Sequence, residues 1–497
     1  MKYRRIALFA LVVATGVLIL SACQPQQVEV TRVVTQTETV TQEVEVTRVV
    51  TETIEVEGEP VEVTRVVQVP VEQQQFPEGT TISLLQWSHF VPQYDIWIDE
   101  FAPAWGESVG VEMSVEHISF TELFPTLTAA IDAGEGPTIV ELVIGGSLFV
   151  EGVHDLTDLN LQAQELFGEQ MPTCKANSYL PRTDSYYGFC HGWIPDPGDY
   201  KKSLWEQAGY PDGPDTWQDL LEGGAFIRDN LGVPLGIGMS PEIDSEFAAR
   251  AMIWSFGGSI QDENENVVIN SPEVIEAVEF MAELYDKTMT EEVFSWNAAS
   301  NNQGLIAGEL SYILNSISAY RSLQKIDPAA ADDIFFVDAL KGPRGDQHAS
   351  AHIWQVYVIP NYVQGAELEA AKAFILHHTA NYSQAVFNSE MYNFPAFKST
   401  VPELFEEGGW LDVDPFGSRP NDKLKVLGEA ENWTTHLGYP GPANPAIVKV
   451  YAQRIISNMM AQVAKGEKTA PEAVAEAEAQ IIPIFEEWRA KGYIGGE

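Results

Sequence analysis

From Thr80 onward, the sequence alternates short apolar stretches with longer amphipathic ones. The short stretches have the length and composition of buried or half-buried strands, and the longer ones carry large apolar side chains at helical spacing. An order of strand, helix, strand, helix, strand predicts parallel βαβ units and an α/β fold. The predicted strands are residues 81–87, 111–117 and 137–143, and the helices between them are residues 94–105 and 120–133.

The rest of the chain continues the pattern with recognisable helix starts. Thr216 precedes a helical stretch and is followed three positions later by Asp219, which predicts an N-cap with an acid in the first turn. The sequence Ser271-Pro272-Glu273 predicts a second start, and Thr469 with Glu472 a capping box. About 420 residues of this kind exceed what one hydrophobic core holds, so we expect two domains.

The first 22 residues have the layout of a secretory signal. A basic start precedes an apolar run over residues 6–20, which is too short and wrongly flanked for a stable membrane span. The run ends in Leu20-Ser21-Ala22-Cys23, which resembles the lipobox of bacterial lipoproteins. We therefore expect cleavage before Cys23 and a lipid on its sulfur, which anchors the protein in the membrane. An ordinary secretion signal with an incidental cysteine is the alternative.

Residues 23–77 have a different composition. The heptapeptide VEVTRVV occurs at 28–34, 44–50 and 61–67, with mainly polar residues and valine between the copies and no aromatic residue before Phe76. Alternating valine and polar residues suit an extended chain that cannot build its own core. We interpret this region as a stalk that holds the folded part away from the membrane. A coiled coil that would oligomerise the protein is the alternative.

The charge of the chain excludes some partners. The formal net charge is −44 at pH 7, and loss of the basic signal makes the mature chain more acidic still. Such a chain repels nucleic acid, so no nucleic-acid partner is expected. Because 45% of the residues are hydrophobic, the acidity does not predict disorder.

Two cysteines remain after Cys23. Because the protein is expected to be exported to an oxidising space, Cys174 and Cys190 are expected to form a disulfide. Their spacing with His191 does not match a zinc site, and the adjacent His377 and His378 face different directions on a helix. Residues 261–266 lack the glycine and distal glutamate of a calcium loop and indicate a turn. We expect no metal, no cofactor and no catalytic residues.

A set of individually loose motifs follows in a fixed order after residue 80. It comprises SLLQW (83–87), AAIDAGEGPTIVEL (129–142), DLTDL (155–159), YGFCHGW (187–193), DYKKSLWEQAGYPDGPDTWQDLL (199–221), WSFGGSI (254–260), NVVINSPEVIEAVEFMAELY (266–285), GLIAGELSYILNSI (304–317), KGPRG (341–345) and KGEKTAPEAVAEA (465–477). In this order the motifs resemble the extracellular solute-binding proteins of ABC importers, in their sugar-binding branch. The chain departs from the family at Thr138, where an aspartate is usual, and at Lys201, where an asparagine is usual.

The resemblance implies a periplasmic-binding-protein-like fold of type II, in which two α/β lobes close around a ligand by a hinge motion. It implies that a small ligand, expected to be a sugar, passes from the cleft to the permease subunits of an ABC transporter. The expected segments are residues 78–192 and 351–400 for the N-lobe, and residues 193–350 and 401–497 for the C-lobe.

Ligands of α/β sheets bind at the carboxyl ends of strands, which selects candidate residues after strands and in motif positions. Tryptophan and tyrosine can cover the apolar face of a sugar ring, while amides and hydroxyls pair with its hydroxyl groups. The ligand-binding candidates are Gln86, Trp87, His89, Gly145, Gly146, Ser147, Trp193, Tyr200, Trp254, Asn315, Ser316, Trp354, Trp433 and Tyr439, with His436 as a weaker one. Most aromatic residues must instead belong to the core, so we expect many of these candidates to fail.

The sequence leaves other functions as alternatives. A surface glycoside hydrolase would need two carboxylates in the cleft, one of them strongly perturbed. An adhesion lipoprotein would be supported only by the repeats. A peptide, a polyamine or another polar solute could replace the sugar, but a polyamine site would place several acids together between aromatic residues, and the sequence displays no such cluster.

Overall fold

The structure, a computed structural model, describes residues 45–56, 59–70 and 75–496. The predicted signal peptide and the predicted lipid-bearing Cys23 lie outside these residues. The chain divides after Glu72 into two units, which are described separately. In the described ranges, no helix combines the length and the hydropathy that a membrane crossing requires.

The first unit contains an antiparallel pair of strands, β1 (Glu45–Val56) and β2 (Glu59–Pro70). The second and third copies of the repeat pair with each other, and Val49 lies opposite Val66. The strand conformation agrees with the alternating pattern of the sequence. The fold-back was not predicted, and in these two ranges it excludes the coiled-coil alternative.

The second unit contains the remaining strands. In chain order they are β3 (Thr81–Trp87), β4 (Glu112–Ile118), β5 (Ile139–Leu142), β6 (Tyr179–Leu180), β7 (Ser185–Tyr186), β8 (Phe189–Ile194), β9 (Gly198–Lys201), β10 (Tyr312–Leu314), β11 (Ile334–Val337), β12 (Ala349–Ser350), β13 (Ile353–Val358), β14 (Phe394–Pro395) and β15 (Thr434–Thr435).

Helices cover much of the second unit. They are α1 (Gln93–Val109), α2 (Leu123–Ala133), α3 (Thr157–Phe167), α4 (Pro172–Ala176), α5 (Lys202–Gln207), α6 (Trp217–Leu231), α7 (Ile243–Ser255), α8 (Pro272–Thr288), α9 (Ser300–Ala307), α10 (Ser318–Ile326), α11 (Pro328–Ala331), α12 (Gly365–Ala380), α13 (Tyr382–Asn388), α14 (Pro402–Phe405), α15 (Ala430–Trp433), α16 (Pro445–Ala452), α17 (Ile455–Ala464) and α18 (Ala470–Ala490). Short 3-10 helices cover Phe120–Glu122, Gly146–Phe149, Glu291–Ser295, Lys398–Thr400 and Lys425–Glu429.

A six-stranded sheet has the order β14-β8-β13-β5-β3-β4. Strands β3, β4 and β5 are parallel, as the βαβ pattern predicts. Strand β13 is antiparallel to both of its neighbours, so the sheet is mixed, which the sequence pattern did not predict. The expected α/β fold is observed.

A three-stranded sheet has the order β10-β9-β11, and both of its pairings are antiparallel. Only residues 195–197 separate β8 of the large sheet from β9 of the small one. The chain returns from β11 to β12 and β13 through residues 338–348. Both connections lie near the boundaries at 193 and 351 that the sequence suggested for the two lobes.

The predicted helix starts are observed in their expected form. Thr216 accepts a hydrogen bond from the backbone N–H of Asp219 at 3.0 Å, and the Asp219 carboxylate accepts one from the Thr216 N–H. Ser271 caps α8, and Glu472 accepts the N–H of Thr469 at 3.0 Å. Such caps satisfy N–H groups that have no partner inside the helix, which is why local sequence predicts them well.

Candidate functional site

The two segments that connect the sheets meet at a pair of acids and a histidine. Asp196 lies between β8 and β9, and His352 directly precedes β13. The Nδ1 atom of His352 is 3.1 Å from Oδ1 of Asp196 and 3.7 Å from Oδ1 of Asp244, on helix α7. All three side chains are buried. One imidazole therefore sits between two carboxyls that come from distant parts of the sequence.

Several aromatic side chains connect the large sheet to this cluster of Asp196, Asp244 and His352. Trp87 ends β3, and its ring stacks on that of His89 at 4.3 Å between centroids. The ring of His89 is 5.1 Å from that of Tyr392, which in turn is 6.4 Å from the ring of His352. Burial lowers the pKa of His89 to about 3, so its ring is neutral. These rings form a continuous buried surface that leads to the acids.

Amides and hydroxyls approach from the side of the small sheet. Asn301 donates a hydrogen bond to Oδ2 of Asp244 at 2.9 Å. Asn315 follows β10. Its backbone N–H donates to the carbonyl oxygen of Pro197 at 3.3 Å, and its side-chain amide nitrogen donates to the amide oxygen of Asn302. Ser316, the next residue, lies beside the hydroxyl of Tyr392. Polar side chains from both sheets thus surround the connecting segments.

Burial raises the pKa of two acids at this site, Asp244 and Asp199. Burial, with the carboxyls of Glu242 and Asp196 nearby, raises the pKa of Asp244 well above its ordinary value. Burial and the nearby Asp196 raise the pKa of Asp199 in the same direction. A group that supplied positive charge here would lower both pKa values.

A second buried polar network lies in the large sheet, next to Trp87. Nε2 of His191 is 2.9 Å from Oε1 of Glu141, and both side chains are fully buried. The amide of Gln355 reaches Glu141 at 3.4 Å and accepts the hydroxyl of Tyr382 at 2.9 Å. Burial raises the pKa of Glu141 to about 8, and interactions with Trp87 and Gln355 oppose that rise. This network supports the strand positions from which the aromatic group projects.

Four of the sequence candidates come together at the cluster: Trp87, His89, Asn315 and Ser316. The candidates Gln86, Gly145 and Gly146 have other contacts. Gln86 is 3.4 Å from Nδ1 of His117. A Cβ at Gly145 would lie 2.8 Å from the Tyr187 hydroxyl, and one at Gly146 would lie 2.7 Å from the side chain of Leu142. Close backbone packing therefore explains these two glycines.

The remaining candidates lie in other surroundings. Ser147 is buried beside Tyr187. Trp193 and Trp354 are opposite each other on β8 and β13 and pack on Phe394 and Phe247. Tyr200 packs on Phe335, Trp254 on Tyr439, and Trp433 against Asp338. His436 is buried, and burial lowers its pKa to about 4.

Sequence reasoning missed Asp196, Asp244, His352 and Tyr392. Asp196 lies within one connecting segment and His352 follows the other, so the position of those segments was a usable signal. Asp244 lies in the first turn of α7, where an acid is ordinary, and Tyr392 follows α13 in a loop without a strand before it. Nothing in the local sequence distinguishes Asp244 and Tyr392 from structural residues.

The cysteines require a correction. Cys174 and Cys190 are buried free thiols, not the expected disulfide. Both sulfur atoms approach the same acceptor, the carbonyl oxygen of Gly192, at 3.7 and 3.3 Å. A thiol that donates to a buried carbonyl satisfies that oxygen in a way that a disulfide cannot.

Two remaining motifs, residues 261–266 and the adjacent histidines His377 and His378, form local contacts. Residues 261–266 form a turn in which the Asp262 carboxylate accepts the N–H groups of Asn264 and Asn266. The ring of His377 stacks on Phe101 at 5.1 Å, and burial lowers its pKa to about 4. Across the described residues, no group of three or more His, Cys, Asp and Glu side chains has an arrangement that could hold a metal ion.

Comparison with known proteins gives a family match. Residues 97–407 match the family described as "Bacterial extracellular solute-binding protein". An arabinooligosaccharide-binding protein of Halalkalibacterium halodurans is 23% identical over 222 residues, which is 44% of this chain and 48% of that protein. A probable ABC transporter-binding protein of Deinococcus radiodurans is 22% identical over 273 residues, 50% of this chain and 65% of that protein. The chain thus spans about half to two thirds of the length of these curated relatives.

Solved structures share the fold. Maltose-bound MalE3 of T. maritima aligns with a TM-score of 0.67 and 21% identity, over 81% of this chain and 99% of that one. A sugar transporter from Arthrobacter chlorophenolicus A6 with bound laminaribiose aligns with a TM-score of 0.68 and 17% identity, over 81% and 99%. Each alignment covers almost the whole length of the solved structure and 81% of this chain.

Proposed function

The chain belongs to the bacterial extracellular solute-binding proteins, and we propose that it captures a small carbohydrate at the cluster of Asp196, His352 and Tyr392 and delivers it to an ABC import permease. The observation that carries the proposal is the meeting of side chains from both sheets at the two segments that connect them. The His352 contacts to Asp196 and Asp244, at 3.1 and 3.7 Å, place this meeting point.

A hinge at the connecting segments explains how such a site works. The large sheet with its helices forms one lobe and the small sheet the other, with the crossings near residues 193 and 351. When the lobes separate, the aromatic group moves away from Asn315 and Ser316. A ligand that touches both sides stabilises the closed form by its extra contacts there. The permease then recognises the closed form.

The chemistry of the site favours a carbohydrate. The ring surface formed by Trp87, His89 and Tyr392 offers apolar area to a sugar ring, and Asn301, Asn315 and Ser316 offer donors and acceptors to its hydroxyl groups. The related proteins named above include one described as binding arabinooligosaccharides and others with maltose or laminaribiose bound. These names support the carbohydrate class.

The proposal places the protein on the outer face of the cell membrane. A lipid on Cys23 would anchor it, and residues 23–77 would serve as the stalk. The family name agrees with a position outside the cytoplasm. The proposed role requires no catalytic residues, since a binding protein releases its ligand unchanged.

A thermal-shift screen tests this function. The mature chain with Cys23→Ser, which removes the lipid, is mixed with mono- and oligosaccharides, peptides and amino acids. A ligand at 100 times its dissociation constant adds about 2.7 kcal/mol to the stability, which raises the melting temperature measurably. Stabilisation by a sugar that is recovered unchanged supports the proposal. Stabilisation by peptides alone, or release of a shortened sugar, contradicts it.

A further inference from the structure

We propose that the carbohydrate carries a protonated amino group, and that the carboxyl groups of Asp196 and Asp244 receive it. This inference rests on the proposed function and narrows it to amino sugars or sugars with an amino substituent. The sequence displayed no cluster of acids between aromatic residues, and the fold assembles one from positions 48 residues apart.

The cluster contains more acid than base. Asp196, Asp199 and Asp244 are all buried, and Asp196 is close enough to each of the other two to raise its pKa. His352 is the basic group in hydrogen-bond contact with this set. Arg454 is also near, but its guanidinium lies over the ring of Tyr451 at 4.1 Å and interacts with Glu246 and Glu242. Its charge is thus shared with two further acids.

Several acceptor atoms of the cluster have no donor. Oδ2 of Asp244 accepts from Asn301, but Oδ1 has no hydrogen-bond partner in the described part of the chain. Both carboxyl oxygens of Asp199 also lack a partner there, although the residue is fully buried. Buried acceptors without donors are costly to a fold, so their retention at a hinge needs an explanation.

An independent group points to the same place. The hydroxyl of Tyr312 is fully buried and has no hydrogen-bond partner among the described residues. It lies over the backbone of Gly198, where no side chain intervenes, and close enough to Asp199 and Asp196 for their charges to raise its pKa. A glycine at this position lets the tyrosine reach the connecting segment. The site therefore offers an aromatic hydroxyl beside carboxyl oxygens that lack donors.

An ammonium group fits this set better than a neutral hydroxyl does. An ammonium has three N–H donors and no acceptor, so it can satisfy Oδ1 of Asp244 and an oxygen of Asp196 together. Its positive charge also opposes the rise that burial causes in the pKa of Asp244 and favours the ionised carboxylate, which a neutral hydroxyl does not. The rings of Tyr392 and His89 then cover the sugar that bears it.

Matched sugar pairs test the inference with the mature Cys23→Ser chain. Each neutral sugar is compared by calorimetry with the same sugar in which one hydroxyl is an amine, in glucose, galactose and β-1,4-linked disaccharide series. N-acetylated forms serve as uncharged controls, and spermidine as an amine without a sugar. We expect an amino sugar to bind about tenfold to a hundredfold more tightly than its neutral and acetylated counterparts.

Asp244→Asn is the diagnostic variant, because the amide keeps the shape of the side chain and removes its charge. It should abolish the preference, so that each amine and its neutral counterpart bind with similar affinity to this variant. Asp229→Asn, at an exposed acid on α6, is the matched control and should retain the preference.

The possible results separate the two proposals. Equal binding of amine and neutral sugar in every pair, or no response to any amine, overturns the inference. Binding of neutral sugars alone would leave the carbohydrate function standing without it. Binding of spermidine without any sugar would support recognition of the charge and overturn the carbohydrate function.

Discussion

The guanidinium of Arg321 and the carboxylate of Asp414 form a buried two-point ion pair, with N–O distances of 2.7 and 3.1 Å. The Nε atom of the same arginine donates to the carbonyl oxygen of Glu390 at 2.8 Å. Helix α10 is thereby joined to two separate loops. Because 93 residues separate the two charged partners, neither one identifies the other in the sequence.

Breaking this pair should be strongly destabilising. Asp414→Ala leaves the buried guanidinium without its counter-charge, which should cost about 3–5 kcal/mol in the free energy of unfolding. Urea denaturation followed by tryptophan fluorescence measures the loss. Glu283→Ala serves as the control, since its pair with Lys287 is exposed and is expected to contribute no more than about 0.5 kcal/mol. Equal effects of the two substitutions would contradict the role of burial.

The sequence predicted the local parts of this fold well. Caps such as Thr216 with Asp219, and the parallel strands β3, β4 and β5, depend on residues close in the chain or on one continuous periodicity. The antiparallel course of β13, the pairing of β1 with β2 and the Arg321 contacts depend on tertiary packing. No local propensity encodes that packing, which is why it could not be predicted.

The cap at Thr216 gives a direct stability test. Thr216→Ala removes the side-chain acceptor of the Asp219 N–H, which should destabilise the protein by about 0.5–2 kcal/mol. Thermal unfolding measures the loss. Thr216→Ser keeps an acceptor oxygen and should recover most of the stability. An alanine variant as stable as the parent would remove the helix cap from the explanation.

Glu141 should make stability depend on pH. Burial raises its pKa from 4.5 in the unfolded chain to about 8 in the folded protein. Between these pH values the unfolded chain releases a proton that the folded protein keeps. The stabilising contribution is therefore fully present below pH 4.5 and is lost as the pH rises to about 8.

Glu141→Gln removes this titration and keeps a side chain that can bond His191. We expect the difference in urea midpoint between parent and variant to fall steadily over that pH range. The buried His191, which contacts Glu141, has the opposite dependence, because its lowered pKa costs stability as the pH falls below 6.5. The comparison is therefore clearest between pH 6.5 and about 8. Parallel pH curves would contradict the prediction.

Cys174 and Cys190 should react with a thiol reagent only after the protein unfolds. Cys174 and Cys190 are buried, and burial raises the pKa of Cys190, so neither thiol should react with a chromophoric disulfide reagent in the native Cys23→Ser chain. Unfolding in urea without a reductant should release both thiols. If unfolding released none, the two would be linked in the exported protein, as the sequence first suggested.

The candidate site was only partly predictable, for the same reason as the fold. Trp87 ends a strand, and His89, Asn315 and Ser316 follow strands, which places all four at the carboxyl ends of strands without further information. The acids come from a connecting segment and from the start of α7, and they become neighbours only when two sheets meet. The contact of His352 with both carboxyls depends on that tertiary arrangement, although the connecting segments themselves could have drawn attention to Asp196 and His352.

His352 is the most direct test of where the ligand binds. It contacts both Asp196 and Asp244, so His352→Ala leaves two buried carboxyls without the imidazole between them. The variant also lacks the imidazole that joins the two connecting segments, and affinity for any carbohydrate that stabilises the parent should fall by about tenfold to a hundredfold. Calorimetry measures the loss. His377→Ala is the matched control, because His377 lies in α12 and packs on Phe101 of α1. This substitution should leave binding unchanged. Loss of affinity in the His377 variant alone would move the site away from the connecting segments.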